Sequence, residues 1–237
     1  MTNNKRFQNK VVLVTGASSG IGEATAKAFA AEGANLIITA RRLDKLNEVA
    51  KVCRSFGVSC EVVVADLQDY SQILKLASSG EIDILINNAG MGYYGKFSEQ
   101  KWSDIKQTLH TNLEAVLALT HAVIPQMIKR RSGVIVNVSS VLGKRPFANL
   151  ATYCASKFAL WGFSDSLRME VKDQGIHVCH FCPTSTDTGF QKAAGMQAAS
   201  NAESSEKVAL ALVNAVAQRK DEHIMSLTER VFIKLTR

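Results

Sequence analysis

Tyr153 and Lys157 stand four residues apart in Tyr153-Cys154-Ala155-Ser156-Lys157, and Ser140 precedes the tyrosine by thirteen positions. Residues four apart on a helix share a face, so the ammonium would favour the phenolate of its neighbour. A phenol with a pKa of about 10 is a poor acid and base at neutrality. With a cation beside it, it can shuttle a proton. A serine hydroxyl in the same site would hydrogen-bond an oxygen on which charge develops. Alone, the Tyr-x-x-x-Lys spacing belongs to many ordinary helix surfaces, so it takes its meaning from what accompanies it.

What accompanies it is a glycine turn near the N-terminus. Residues 11–14, Val-Val-Leu-Val, run into Thr15-Gly16-Ala17-Ser18-Ser19-Gly20-Ile21-Gly22, and a helix-compatible stretch follows over 23–31. Such glycines permit a tight turn, close approach of a pyrophosphate to the backbone, and close packing of the new helix on the sheet. The first-turn amides of that helix would then face the phosphate. The spacing is Gly-x-x-x-Gly-x-Gly and not Gly-x-Gly-x-x-Gly. The strand before it and the helix after it favour dinucleotide binding over a ligand-free turn.

The elements that must hold these residues read as α/β. Short apolar runs at 11–14, 36–38, 62–64, 82–86, 134–138 and 178–181 alternate with longer amphipathic stretches, and a last strand is expected at 223–227. That rhythm predicts a Rossmann-type doubly wound parallel sheet of about seven strands with helices on both faces. The long segment 102–129 is read as one helical stretch carrying Asn112, and 151–172 as another carrying Tyr153 and Lys157. With 237 residues the chain suits one large domain, 1–237, with a cofactor half at roughly 8–110 and a catalytic and substrate half at roughly 111–237. Its prolines (Pro125, Pro146, Pro183) are isolated, and no linker or repeat divides it.

Composition narrows the class further. The polar first ten residues and the absence of any run of eighteen apolar residues argue against a signal peptide or membrane span, so a soluble, cytoplasmic protein is expected. Five cysteines fit free thiols in a reducing compartment. Cys179-His180-Phe181-Cys182 invites a metal or redox reading, but it falls in an expected strand, where residues three apart point to opposite faces; buried packing is preferred and no metal is assigned. Cys154 is read as helix filler rather than a reactive thiol at the cleft. A formal charge of +7 raises a nucleic-acid role. The basic residues are dispersed, however, and the one run of three, Lys129-Arg130-Arg131, closes a helix where cations suit the dipole.

Thr15-Gly16-Ala17-Ser18-Ser19-Gly20-Ile21-Gly22, Asn87-Asn88-Ala89-Gly90, Asn112, Ser140, Tyr153 and Lys157, in this order and at these intervals, resemble the short-chain dehydrogenase/reductase family over roughly residues 8–226. The resemblance implies a nicotinamide-dependent oxidoreductase that interconverts a carbonyl compound and a secondary alcohol, with Tyr153 as general acid and base. It implies that Ser140 binds the reacting oxygen, that Lys157 lowers the tyrosine pKa and holds the nicotinamide ribose, and that Asn112 anchors a water relaying protons to Lys157. Gly16, Ser18, Ser19, Gly20, Ile21 and Gly22 would surround the diphosphate. Asp66 with Leu67 would meet the adenine, and Asn88, Ala89 and Gly90 would pass the adenosine ribose. Pro183 and Thr188 match the family's cofactor-binding positions after the sixth strand, and Thr188 would contact the nicotinamide carboxamide. Where the family usually has Pro-Gly, this chain has Pro183-Thr184, which alters that wall. A homotetramer, or else a homodimer, is expected; Leu117, Phe158 and Trp161 are taken as outer apolar positions needing cover. The competing reading is a catalytically idle nucleotide-sensing or scaffold protein of the same fold.

Two specificities follow. At the end of the second expected strand, Ala40 offers no carboxylate to a ribose hydroxyl, while Arg41, assisted by Arg42 and Ser18, could fork onto a 2′-phosphate; NADP(H) is therefore expected over NAD(H). For the substrate, Met91, Tyr93, Leu142, Phe147, Leu150, Phe190 and Met196 are read as an apolar cleft wall and 188–204 as a lid loop. A ketone, a 3-oxoacyl thioester and a steroid all fit. The terminal stretch 229–237 looks helical and lacks a cap.

Overall fold

In a computed structural model the chain is described over residues 5–195 and 202–226. The stretch 229–237 and Met196, both singled out in the sequence, lie outside the described residues, as does part of the lid loop. Seven strands, β1 (Val11–Thr15), β2 (Asn35–Ala40), β3 (Cys60–Val64), β4 (Ile84–Asn87), β5 (Gly133–Val138), β6 (Ile176–Cys182) and β7 (Glu222–Ile224), make one sheet. Its order is β3-β2-β1-β4-β5-β6-β7, and every pairing is parallel. The helices are α1 (Gly20–Ala31), α2 (Leu43–Arg54), α3 (Tyr70–Ala77), α4 (Trp102–Leu109), α5 (Ala115–Arg130), α6 (Ala151–Val171), α7 (Gly189–Ala193) and α8 (Ser205–Ala217).

The strands read as unbroken apolar runs because both faces of the sheet are covered. Val12 and Val14, Ile84 and Ile86, Val136, and Cys179 and Phe181 pack with Phe29, Leu46 and Leu212 in one core. Strand residues next to them, Leu13, Leu85, Ile135 and Val178, pack with Ile73, Leu119 and Leu167 in the other. That alternation is the two-residue period of a strand. Each fully buried aliphatic or aromatic side chain contributes roughly 1.5 to 3 kcal/mol, which two filled faces multiply.

The strand order reverses between β1 and β4, so a crevice opens beyond the carboxyl ends of the strands at that point. The glycine turn follows β1, Asn88 follows β4, Ser140 lies just beyond β5, and Pro183 directly follows β6. Loops at the carboxyl ends of the strands therefore carry the glycine turn, Asn88, Ser140 and Pro183.

One expectation is refined and two change. The segment 102–129 is one continuous helical stretch, within which a π-turn, His110–Glu114, lies between α4 and α5 and carries Asn112. The last strand is Glu222–Ile224, shorter and earlier than expected. Trp161 is not an outer position but 1 % exposed; it packs on His180 with ring centroids 3.8 Å apart and lies so close to Gly143 that a Cβ there would sit 2.3 Å from its Cδ1. The basic run does close α5. Arg130 donates to Ile82 O at 2.8 Å and Arg131 to Asp173 O at 2.7 Å, so both guanidiniums are used locally.

At the turn into β6, Gly175 has φ +79° and an added Cβ would meet Arg131 O at 2.0 Å. Both the left-handed backbone and the backbone clash resist any side chain. Gly175→Ala is expected to destabilise the fold by roughly 2 to 4 kcal/mol, read as a lowered midpoint in denaturant; an unchanged midpoint would show that the turn is not as rigid as its packing implies.

Candidate active site

Tyr153 and Lys157 sit on α6 beneath the crevice. Tyr153 is half-buried against Phe190, ring centroids 5.7 Å apart, and its hydroxyl is hydrogen-bonded to the Ser140 side chain. Ser140 Oγ in turn accepts from Leu142 N–H at 3.1 Å, which orients the hydroxyl. Lys157 is 5 % exposed; its Nζ lies 5.6 Å from the Tyr153 ring centroid and donates to Val138 O at 3.0 Å. One helical turn thus places both groups below the ends of β5 and β6. Strand β5 ends at Val138, and Ser140 occupies the extended residue that caps a short 3-10 turn.

The electrostatics differ from the expectation that lysine brings the tyrosine pKa down. Burial dominates, pushing Tyr153 up to about 12, with the Ser140 hydrogen bond pulling the other way. Burial likewise brings Lys157 down to about 8. In each case the loss of hydration penalises the charged form, which raises the phenol and lowers the ammonium.

Asn112 is buried and fully engaged. Its Oδ1 accepts from Met91 N–H at 2.8 Å, while its Nδ2 donates to Met91 O at 2.8 Å and to Ser156 Oγ at 3.1 Å. Ser156 donates to Tyr153 O at 2.7 Å. This clamp fixes the loop after β4 to α6 and accounts for the π-turn, since the wider turn aims the amide at Met91. A Cβ on Gly90 would lie 3.4 Å from Asn112 Oδ1 and 3.9 Å from Lys157 Nζ, so the loop crosses directly over the pair. Ser156 was not singled out in the sequence; a small hydroxyl beside the lysine was the available signal. The network of Asn87, Thr120, Asn137 and Ser164 was missed too. Asn87 Nδ2 donates to Thr120 Oγ1 at 3.1 Å and to Asn137 Oδ1 at 2.9 Å, and Asn137 Nδ2 to Ser164 Oγ at 2.9 Å.

The glycine turn forms a cradle. Gly16 and Gly20 have φ +66° and +57°, and a Cβ on Gly22 would lie 2.4 Å from Gly16 O. Thr15 holds the neighbouring loop, its Oγ1 accepting from the N–H groups of Asn88 and Ala89 at 3.0 Å each, while Asn88 Nδ2 donates to Thr15 O at 2.9 Å. Ser19, at the N-cap of α1, makes no side-chain cap, which leaves first-turn amides available to an anion. Across the crevice, Thr188 Oγ1 caps α7 by accepting from Phe190 N–H at 3.2 Å, and Thr188 Cγ2 would be 2.9 Å from a Cβ on Gly20. Ser139 Oγ and Thr184 Oγ1 are buried without a hydrogen-bond partner. An uncapped helix start, a cradle that side chains would fill and buried hydroxyls awaiting partners fit a dinucleotide.

At the end of β2 it is Arg42 that lies against the glycine turn. Arg42 Nη2 donates to Ser18 Oγ at 3.0 Å and to Ser19 Oγ at 2.9 Å. Arg41 is exposed. The chain leaves the strand at Ala40, and Arg42, as N-cap of α2, turns back over the glycine turn. Asp66 caps no helix; its Oδ1 accepts from Gln68 N–H at 3.0 Å, and Asp69 caps α3. Of the expected cleft wall, Met91, Tyr93, Leu142 and Phe190 are half-buried, Leu150 is buried and Phe147 stands outside. Cys154, Cys179 and Cys182 are buried, and burial pushes the last two thiols up. Among the described residues no group of three or more His, Cys, Asp or Glu side chains could hold a metal ion, and no helix is long and apolar enough to cross a membrane.

Comparison with known proteins agrees with this geometry. A family model described as short chain dehydrogenase matches residues 10–199. The chain is similar to the 3-oxoacyl-[acyl-carrier-protein] reductase of Escherichia coli, 36 % identical over 79 % of this chain and 78 % of that protein. Among solved structures it is similar to a short-chain dehydrogenase from Sphingobium yanoikuyae in complex with NADPH, with TM-score 0.90, 30 % identity, and coverage of 96 % of this chain and 92 % of that one. It also shares its fold with a short chain dehydrogenase/reductase from Burkholderia phymatum in complex with NAD, at TM-score 0.89 and 24 % identity, covering 97 % and 93 % of the two chains.

Proposed function

The chain belongs to the short-chain dehydrogenase/reductase family of oxidoreductases, and from that premise we propose that it interconverts a carbonyl compound and a secondary alcohol with NADP(H). The observation that carries the reading is the Tyr153 hydroxyl hydrogen-bonded to Ser140, with the Lys157 ammonium 5.6 Å from its ring, at the edge of a glycine cradle.

Gly16, Ser18, Ser19, Gly20, Ile21 and Gly22 would hold the diphosphate, with Arg42 and Arg41 toward a 2′-phosphate. Asp66, Leu67, Asn88, Ala89 and Gly90 would line the adenosine side, and Tyr153, Lys157, Pro183 and Thr188 the nicotinamide side. When bound, the nicotinamide supplies a hydride. Tyr153, protonated at neutral pH, donates its proton to the carbonyl oxygen, and Ser140 steadies that oxygen with a second hydrogen bond. In the reverse direction Tyr153 accepts the proton, a role that the Lys157 charge favours. The Asn112 side chain is spent on Met91 and Ser156, so a proton-relaying water would be anchored by a main-chain carbonyl of the π-turn, where the helical ladder is interrupted. Thr184, with its β-branched side chain and unpartnered hydroxyl, narrows the wall on the nicotinamide side.

The half-buried Met91, Tyr93, Leu142 and Phe190 favour an apolar substrate, and the similarity to a 3-oxoacyl reductase keeps a 3-oxoacyl thioester among the candidates. The test is loss of reduced-nicotinamide absorbance across a panel of ketones, 3-oxoacyl thioesters and steroids. Oxidation of NADPH with at least one of these, and none without a carbonyl compound, is expected; cofactor binding with no turnover on any of them would favour an idle nucleotide sensor.

A symmetric oligomer, a homotetramer or else a homodimer, belongs to the same reading. Leu117 on α5 and Phe158 on α6 are 37 % and 42 % exposed, and isologous pairing would cover them. Light scattering is expected to give a multiple of the 25.8 kDa chain mass; a monomer mass at micromolar concentration would overturn this.

A further inference from the structure

Two loops roof the cleft, 91–101 after β4 and 141–150 after β5, and they carry side chains for which the reaction has no use. They are tied to each other: Gly95 N–H donates to Asn149 O at 2.9 Å, and Asn149 Nδ2 to the Tyr94 hydroxyl at 3.4 Å. Tyr94 N–H also reaches Ala194 O at 2.8 Å, at the end of α7, and Thr152 Oγ1 donates to Gln100 Oε1 at 2.7 Å. On these tied loops and at the adjoining start of α4, four large rings are exposed, Tyr94 38 %, Phe97 60 %, Phe147 57 % and Trp102 66 %. The other exposed rings of the described surface, Phe56, Tyr70 and Phe158, lie on separate elements, so this cluster is the local concentration.

The rings alternate with cations. Lys96, Lys101 and Arg145 are exposed in the same loops; the acid among them, Glu99, faces Lys96 at 3.6 Å. Bulky rings that can leave water, set among cations on a chain of formal charge +7, match the headgroup zone of an anionic membrane: rings lodge at the boundary and cations draw in the headgroups. A protein partner would favour a continuous apolar core with charge at its rim, whereas here lysines, serine and glutamine separate the rings.

We propose that this rim docks the open mouth of the cleft on an anionic lipid surface, so that an apolar carbonyl substrate enters from the lipid phase. The docking stands on the rim alone; that the lipid-borne molecule is a carbonyl compound rests on the reductase reading. The contact is peripheral, and the half-buried Met91, Tyr93, Leu142 and Phe190 continue the apolar path inward from it.

The test is sedimentation of the full chain with vesicles of phosphatidylcholine, with and without phosphatidylserine, together with tryptophan emission. Trp161 is buried and Trp102 exposed, so a blue shift on binding reports Trp102. Binding to the anionic vesicles that weakens as salt rises is expected. Lys96→Glu with Lys101→Glu should lower the partition coefficient by about tenfold or more, and Phe97→Ser should lower it and diminish the emission shift. Turnover of a small water-soluble ketone should stay near wild type in all these variants. No binding to anionic vesicles at low salt, or binding indifferent to both substitutions, would overturn the docking; variants that lose the soluble-ketone reaction in parallel would move these residues into the substrate cleft instead. Vesicle binding without NADPH oxidation on any carbonyl compound would leave the docking standing and remove the reductase reading.

Discussion

Tyr153→Phe is expected to lower turnover by about 100-fold or more, the scale for losing a general acid, while NADPH binding stays near wild type. The ring and its contact with Phe190, centroids 5.7 Å apart, survive the change, so the cleft keeps its shape. Only the hydroxyl goes, and with it the proton for the carbonyl oxygen. Ser140 remains to hydrogen-bond that oxygen, which leaves residual activity. Burial gives the reaction a pH signature. A tyrosine pushed up to about 12 is protonated throughout the neutral range, so reduction needs no prior protonation of Tyr153, whereas alcohol oxidation needs the phenolate. Oxidation should therefore accelerate with rising pH, and the phenylalanine variant should lose that acceleration. Above about 8, the value to which burial brings Lys157, the cation that favours the phenolate is progressively neutralised, so the acceleration should flatten. Steady-state rates in both directions, with a cofactor dissociation constant from nicotinamide fluorescence, check this. Near-normal turnover in the phenylalanine variant would refute the assigned chemistry.

The sheet was legible because burial on both faces writes a local signal. Each of the first six strands appears as a short apolar run between turn residues, and the structure extends or trims those runs by a residue or two. β7 is an edge strand of three residues, paired only with β6, and has too little apolar length to fix its ends. Tyr153, Lys157, Ser140 and the glycine turn were legible because their spacing repeats the geometry that brings them to one edge of the sheet. What escaped depends on contacts distant in sequence. The π-turn exists because Asn112 reaches the Met91 backbone, 21 residues away; nothing within 102–129 announces it. Trp161 was placed outward with Phe158, three residues before it on the same helix. The space left by Gly143 and the ring of His180 draw it inward instead. The acidity of Tyr153 was misjudged for the same reason, since a neighbour's charge is visible in the sequence and the depth of burial is not.

Arg41 and Arg42 pose that problem in its sharpest form, because adjacent residues leaving a strand cannot be oriented from spacing. The structure turns Arg42 onto the glycine turn, donating to Ser18 Oγ and Ser19 Oγ at 3.0 and 2.9 Å. The guanidinium is thus already held beside the cradle before any ligand arrives, and less side-chain freedom remains to be lost on binding. Ala40, the last residue of β2, brings no carboxylate to accept from a ribose hydroxyl or to repel a phosphate. NADPH is therefore expected to bind more tightly than NADH. A charge-assisted contact contributes roughly 1.5 to 3 kcal/mol, which corresponds to a preference of about 10-fold to 150-fold. Arg42→Ala should remove most of it and Arg41→Ala less, an ordering that sets the structure apart from the sequence, which placed Arg41 first. Ala40→Asp should go further, repelling the 2′-phosphate while restoring a ribose acceptor, and shift the preference toward NADH. Dissociation constants for both cofactors in the wild type and these variants decide it. Equal wild-type affinities, or undiminished NADPH binding once both arginines are alanine, would overturn the assignment; an Arg41→Ala loss exceeding that of Arg42→Ala would show that Arg41 supplies the main phosphate contact.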